Sequence, residues 1–110
     1  MDEKDRERIR AEFDEAVNMT PKELEAWLDT DESKSAGRKK DDESVGHASG
    51  RRIVDLLHRK KSELDDDDYR HMRYVVGFVH RHTAQRPAHN VEKMKWRYSL
   101  MNWGHDPLKD

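Results

Sequence analysis

The chain has 110 residues, of which 42% are charged and 33% hydrophobic, and its formal net charge is only -2. That length argues for one domain, and the near balance of charge removes the self-repulsion that would hold a chain open. The absence of cysteine excludes disulfides, thiolate catalysis and Cys-based zinc or iron–sulfur sites.

Leu, Ile, Val and Phe together number 18, below the roughly 20% at which disorder begins to compete with folding. Three Trp, three Tyr and five Met restore bulky volume. The composition therefore predicts a small folded core with long solvated charged segments. No apolar run approaches the ~20 residues that cross a bilayer. The start, Met1-Asp2-Glu3-Lys4-Asp5, lacks the apolar stretch of a signal peptide. The expected location is the cytoplasm, with no membrane partner.

In chain order, residues 2–18 read as a charged helix with Ile9, Phe13 and Val17 on one face. Thr20-Pro21-Lys22-Glu23 is the sharpest local signal: Thr20 caps, Pro21 suits the first helical position, and Glu23 completes a capping box. Leu24, Trp27 and Leu28 give that helix one apolar face. Residues 30–43 hold no large apolar residue and read as a mobile loop. A third helix begins at Ser44 or Ser49, with Ile53, Leu56 and Leu57 facing the core, Val54 flanking, and a basic exit at His58-Arg59-Lys60-Lys61.

Asp65–Asp68 mark the next helix start, since carboxylates suit the positive end of the helix dipole. Tyr69, Met72, Val76, Val79 and Thr83 carry its periodicity to about Ala84, with Val75 beside them. Length and spacing favour helix over strand despite the β-branched valines. Pro87 ends it. Asn90 is the expected cap of a last helix over 91–101, with Met94, Tyr98 and Met101 on one face and Trp96 and Leu100 on another. Trp103 anchors a turn-rich tail. The sum is an all-α fold, a small single domain of four to five helices. Its parts are a charged N-terminal helix at 1–18 and a helical body at 19–110.

Net charge conceals a strong segregation. Residues 1–32 carry net -7, residues 36–61 net +4, residues 62–69 net -5 and residues 70–98 net +6. Such a layout builds a basic face on a slightly acidic protein. His58, His71, His80, His82 and His89 lie in or beside the basic segments, so mild acidification is expected to strengthen that face.

The chemistry-bearing patterns are few. The cluster Arg51, Arg52, Arg59, Lys60 and Lys61, with Arg38, Lys39 and Lys40 before it, is a candidate phosphate-binding surface. The bland reading is that these cations solvate the surface or pair with the acidic first helix. A second stripe, Arg70, Arg73, Arg81, Arg86, Lys93, Lys95 and Arg97 with Trp96 and Tyr98, has the cation–aromatic mix that stacks on bases. Aromatics at helical spacing are more often core. His80 and His82 point about 200° apart on a helix and cannot share a metal. No His-Glu-x-x-His, Gly-x-Ser-x-Gly, Gly-rich phosphate loop or EF-hand alternation is present. No catalytic residue, metal or cofactor is expected.

Four stretches carry a resemblance. They are Thr20–Leu28, Ser44–Val54, His80–Pro87 and Trp96–Pro107, the last containing Asn102-Trp103-Gly104-His105-Asp106-Pro107. Together they resemble the family called domain of unknown function 3140, over about residues 10–108. The resemblance implies a small bacterial or fungal protein, and some family members carry a DNA-binding label. It implies no catalytic or ligand residues. The family motif commonly has Lys where Tyr74 stands and Tyr where Phe78 stands, and the first departure removes a positive charge. It also implies that Gly46, Gly50 and Gly104 serve backbone geometry and that Trp27, Trp96 and Trp103 serve the core.

The leading expectation is a non-enzymatic DNA-binding protein, contacting phosphates through Arg38, Lys39, Lys40, Arg51, Arg52, Arg59, Lys60 and Lys61. Phosphate contacts position a protein and do not read sequence. The second expectation is a protein-interaction or structural module that self-associates as a homodimer, because a small core gains from burying more area.

Overall fold

The computed structural model describes residues 1–37, 39–40 and 42–109, the side chains of Lys39 and Lys40 excepted. The helices are α1 (Glu3–Ala16), α2 (Pro21–Leu28), α3 (Asp31–Ser35), α4 (Val45–His58), α5 (Asp66–Thr83) and α6 (Lys95–Asn102). A two-residue antiparallel pairing of β1 (Lys39–Lys40) with β2 (Glu43–Ser44) and a single 3-10 turn at Lys61–Glu63 complete the described elements. The protein is a small all-α domain.

Local chemistry sets most helix starts. Thr20 Oγ1 accepts from the Glu23 amide at 3.1 Å while Glu23 Oε1 accepts from the Thr20 amide at 2.9 Å. Asp65 and Asp68 make the same reciprocal exchange at 2.9 and 3.0 Å. Ser44 wins over Ser49 as the cap of α4, accepting from the His47 amide at 3.0 Å. Each cap satisfies amides that the first helical turn leaves without partners.

Two expectations need correction. The stretch expected as a loop at 30–43 begins with α3, capped by Thr30, whose hydroxyl accepts from the Ser33 amide at 3.1 Å. Ser33 and Ala36 are fully buried there. Their small size hid them from a search for large apolar residues. The last helix starts four residues later than expected. Asn90 Oδ1 accepts from the Glu92 amide at 3.1 Å, a local turn that ends the Asn side chain's role before the helix begins. Val91 is buried in that turn, and Met94 takes the cap position without a side-chain bond.

Two packed groups form the body. In the first, α1 lies along α5, burying Ile9, Phe13 and Ala16 in one core with Tyr69, Met72, Val76 and Val79. In the second, α2, α4 and α6 meet, with α3 against α6. Gly50 allows that meeting. A Cβ there would lie 2.5 Å from the Asn102 carbonyl oxygen and 2.7 Å from Leu28 Cδ2. Asn102 is the polar centre of the junction. It accepts from Trp27 Nε1 at 2.8 Å and Ser33 Oγ at 2.5 Å, and donates to the Ser33 carbonyl at 3.1 Å.

The tail then turns at Gly104, whose φ of +81° lies in the region that favours glycine. It returns to the end of α1. Asn18 Nδ2 donates to the Asp106 carbonyl at 2.9 Å, the Asp106 amide donates to Asn18 Oδ1 at 2.8 Å, and His105 Nδ1 donates to the Ala16 carbonyl at 2.8 Å.

Candidate functional site

The cations expected to grip phosphate divide sharply in their surroundings. Arg38, and the side chains of Lys39 and Lys40, lie outside the described residues. Arg51 is held by Glu43, Nε at 2.9 Å and Nη2 at 2.5 Å. Those bonds, then the contact with His47, draw the Glu43 carboxyl down to about 2. Arg52 bonds Asp68 at 3.3 Å, and Arg59 reaches both Asp68 and Asp55, at 3.1 and 2.7 Å in its shorter bonds. Asp68 is buried. Burial alone would raise its carboxyl; the Asp65 amide, Arg52 and Arg59 outweigh that and hold it below the usual range. These three arginines fasten α4 to its neighbours and are largely neutralised. Lys60 and Lys61 are exposed and beside Arg6, Ser62 and Tyr69 in an open depression of about 510 Å³.

The partners differ from those expected for a buried basic face. Glu43, Asp55 and Asp68 hold the arginines, and no ion pair among the described residues joins an α1 carboxylate to the cations at 51–61. The one bond from α1 to the start of α5 runs the other way, Arg6 Nη2 to Asp66 at 2.7 Å.

The second stripe keeps more of its charge available. Arg70 pairs with Asp67 at 2.6 Å, and Arg97 grips Asp106 with two bonds near 3 Å. Arg73, Arg81, Arg86, Lys93 and Lys95 form no ion pair among the described residues and are all exposed. The Arg81 guanidinium folds toward Gly77, its Nη1 3.0 Å from where a Cβ would stand. Arg86 lies 5.7 Å from the centroid of the Trp96 ring. Trp96 Nε1 donates to the His82 carbonyl at 2.8 Å, which pins the start of α6 against the last turn of α5. Arg81, Arg86 and Lys95 are thereby gathered at one end of the molecule.

Acidification adds less charge than five histidines imply. His71 accepts at Nε2 from the Ser49 hydroxyl at 3.0 Å, and burial, reinforced by Arg52, takes its ring down to about 4. Burial and then Arg81 lower His82 as well.

A second feature escaped the sequence reading. Tyr74, Phe78 and His82 recur every fourth residue on one face of α5, and Trp103 packs against them. Phe78 stacks on Trp103 at 4.3 Å and on His82 at 4.6 Å, while Tyr74 tilts toward Trp103 at 5.3 Å. They border a cleft of about 420 Å³. The four-residue spacing was the available signal. The core periodicity of Met72, Val76 and Val79 on the same helix masked it.

A family model described as "Protein of unknown function (DUF3140)" matches residues 12–101. No curated protein and no solved structure matches the chain.

Proposed function

The chain belongs to the DUF3140 family of proteins of unknown function, and we propose that it is a non-enzymatic nucleic-acid-binding protein that holds DNA by its phosphates at the cationic end of α5 and α6. One observation carries this reading: between residues 81 and 95 four exposed cations form no ion pair among the described residues, whereas Arg51, Arg52 and Arg59 each do. Phosphate contact requires charge that is not already spent within the fold. Glu92 is the sole carboxylate in residues 70–98. The interface is therefore assigned to Arg81, Arg86, Lys93 and Lys95, with Trp96 beside Arg86.

The test is anisotropy of a fluorescent DNA duplex at several salt concentrations. Four neutralised phosphates give a slope of log affinity against log salt of roughly -3 to -4. The triple variant Arg81→Glu/Arg86→Glu/Lys95→Glu is expected to abolish binding with its helical CD spectrum intact. Lys60→Glu/Lys61→Glu is expected to retain most affinity. The reverse ranking of the two variants, or no binding at about 50 mM salt down to the ~10⁻⁴ M non-specific range, overturns the reading.

A further inference from the structure

The aromatic cleft on α5 has the make-up of a ring-binding site. Its walls are Tyr74, Phe78, His82, Trp103, Ser99 and Val45. Tyr74 is 55% exposed and Val45 40%. Among the described residues they are two of the four large hydrophobic side chains left open, and the other two, Met1 and Leu108, lie near the chain ends. A ladder of stacked rings is therefore uncovered at its Tyr74 end.

Two unspent polar groups line the same space. Trp103 is 4% exposed, and its indole N–H makes no hydrogen bond among the described residues, yet it is not a buried orphan, since Arg6 Nε alone is buried without a partner there. The other two tryptophans both donate, Trp27 to Asn102 and Trp96 to the His82 carbonyl. Gly46 keeps this donor accessible, because a Cβ there would stand 2.9 Å from Trp103 Nε1. The Ser99 hydroxyl likewise makes no hydrogen bond among the described residues. Flat rings with an acceptor at the edge satisfy both the stacking and the donors.

Charge narrows the ligand further. Lys95 precedes Ser99 by one turn on α6, on the same helix face. His82 lines the cleft with its ring, and its carbonyl holds Trp96, over which Arg86 lies. The cleft thus opens beside the cationic end. Its volume of about 420 Å³ falls in the range of small-molecule sites.

We propose that this cleft takes an unpaired nucleobase, so that the protein prefers single-stranded nucleic acid, with a base stacked against Tyr74 and adjoining phosphates on Lys95 and Arg86. The preference for single strands rests on the phosphate reading above; occupation of the cleft by a base does not. A nucleobase supplies the π-face for the ladder and ring nitrogen or carbonyl acceptors for Trp103 Nε1 and Ser99. In a duplex those faces are already stacked and only a flipped or unpaired base can enter.

The experiment follows indole N–H resonances of the ¹⁵N-labelled full chain while adenosine 5′-monophosphate is added, the Trp103 signal being assigned with Trp103→Phe. The Trp103 resonance is expected to shift more than those of Trp27 and Trp96. Tyr74→Ala removes an exposed ring that packs against Trp103; it should weaken nucleotide binding about tenfold, the scale of one base–aromatic stack. In parallel, a labelled oligodeoxyadenylate should bind more tightly than its duplex, and Tyr74→Ala should erase that difference. No Trp103 shift, or a shift unaffected by Tyr74→Ala, overturns the proposal. Equal affinity for single strand and duplex, unaltered by Tyr74→Ala, also overturns it while leaving the cationic interface standing. A Tyr74-dependent nucleotide shift without any polymer binding supports the base site and overturns the phosphate reading instead.

Discussion

Replacing Asn102 by Ala removes the polar centre of the α2–α3–α6 junction. Asn102 is fully buried and makes three side-chain hydrogen bonds, two to Ser33 and one to Trp27. Ser33 is also fully buried: its hydroxyl would lose its partner in a place water does not reach, while its carbonyl keeps the Ala36 amide at 3.3 Å. The stranded hydroxyl costs about 1–3 kcal/mol. The Trp27 indole is half-buried and rehydrates, adding less than about 1 kcal/mol. The expected loss is about 2–4 kcal/mol, a large share of the ~5–15 kcal/mol that holds an ordinary domain together. Urea denaturation followed by both far-UV CD and tryptophan fluorescence measures it, with coincident transitions as the check on two-state behaviour. Trp27→Phe alone should cost only about 1 kcal/mol, because Asn102 Oδ1 still accepts from Ser33. A loss below about 1 kcal/mol for Asn102→Ala would refute the accounting, since it would mean that Ser33 finds other partners or water.

Gly50→Ala tests the close approach of α4 and α6: its methyl would stand 2.5 Å from a backbone oxygen, and overpacking of that kind costs about 1–3 kcal/mol, although alanine is intrinsically the better helix former. A more stable Gly50→Ala protein in a thermal melt would contradict the geometry. His71, brought to about 4 mainly by burial, binds its proton in the unfolded chain at higher pH than in the native one. Stability should therefore fall as pH drops from about 6.5 to 4, by about 1–2 kcal/mol after allowance for solvent reaching the half-buried ring. Urea midpoints at pH 7, 5.5 and 4 measure the slope, and His71→Gln should flatten it. Glu43, drawn to about 2 by Arg51 first and His47 second, is shifted in the same direction, over a lower pH window. Its contribution is complete above the ordinary carboxylate range and is lost as pH falls toward 2, so Glu43→Gln should lessen the acid sensitivity of the wild-type melt below pH 4.

Local signals were read well where the interaction spans three or four residues. Thr20 with Glu23 is a contact within one turn, and residue type with spacing suffices to find it; Asp65 with Asp68 and Ser44 with His47 are equally local, but neighbouring Asp residues and Ser49 leave the choice open in sequence. The all-α class followed from the periodicity of Ile9 and Phe13, Ile53 and Leu56, and Met72, Val76 and Val79, because a helix must bury one stripe. The start of α6 was misplaced because Asn90 had two local uses, a helix cap and a turn, and burial of Val91 favoured the turn. Ser33 and Ala36 were missed because burial of a small residue leaves no mark in a hydrophobic pattern.

The availability of charge needed the tertiary structure. Sequence alone determined that the protein carries segregated charge, lacks cysteine chemistry and folds as helices around a small core. It favours the cluster at Arg51–Lys61 over the stripe at Arg70–Arg97, because aromatics at helical spacing are more often core. The fold adds which of these cations have carboxylate partners. Asp68 lies sixteen residues from Arg52 and nine from Arg59, yet packing brings it to both, while Arg81, Arg86 and Lys95 form no ion pair among the described residues. Whether a cation is available to a partner depends on which carboxylate the fold places within about 4 Å of it. A separation in space of that size is decided by helix packing and is not written in the order of residues.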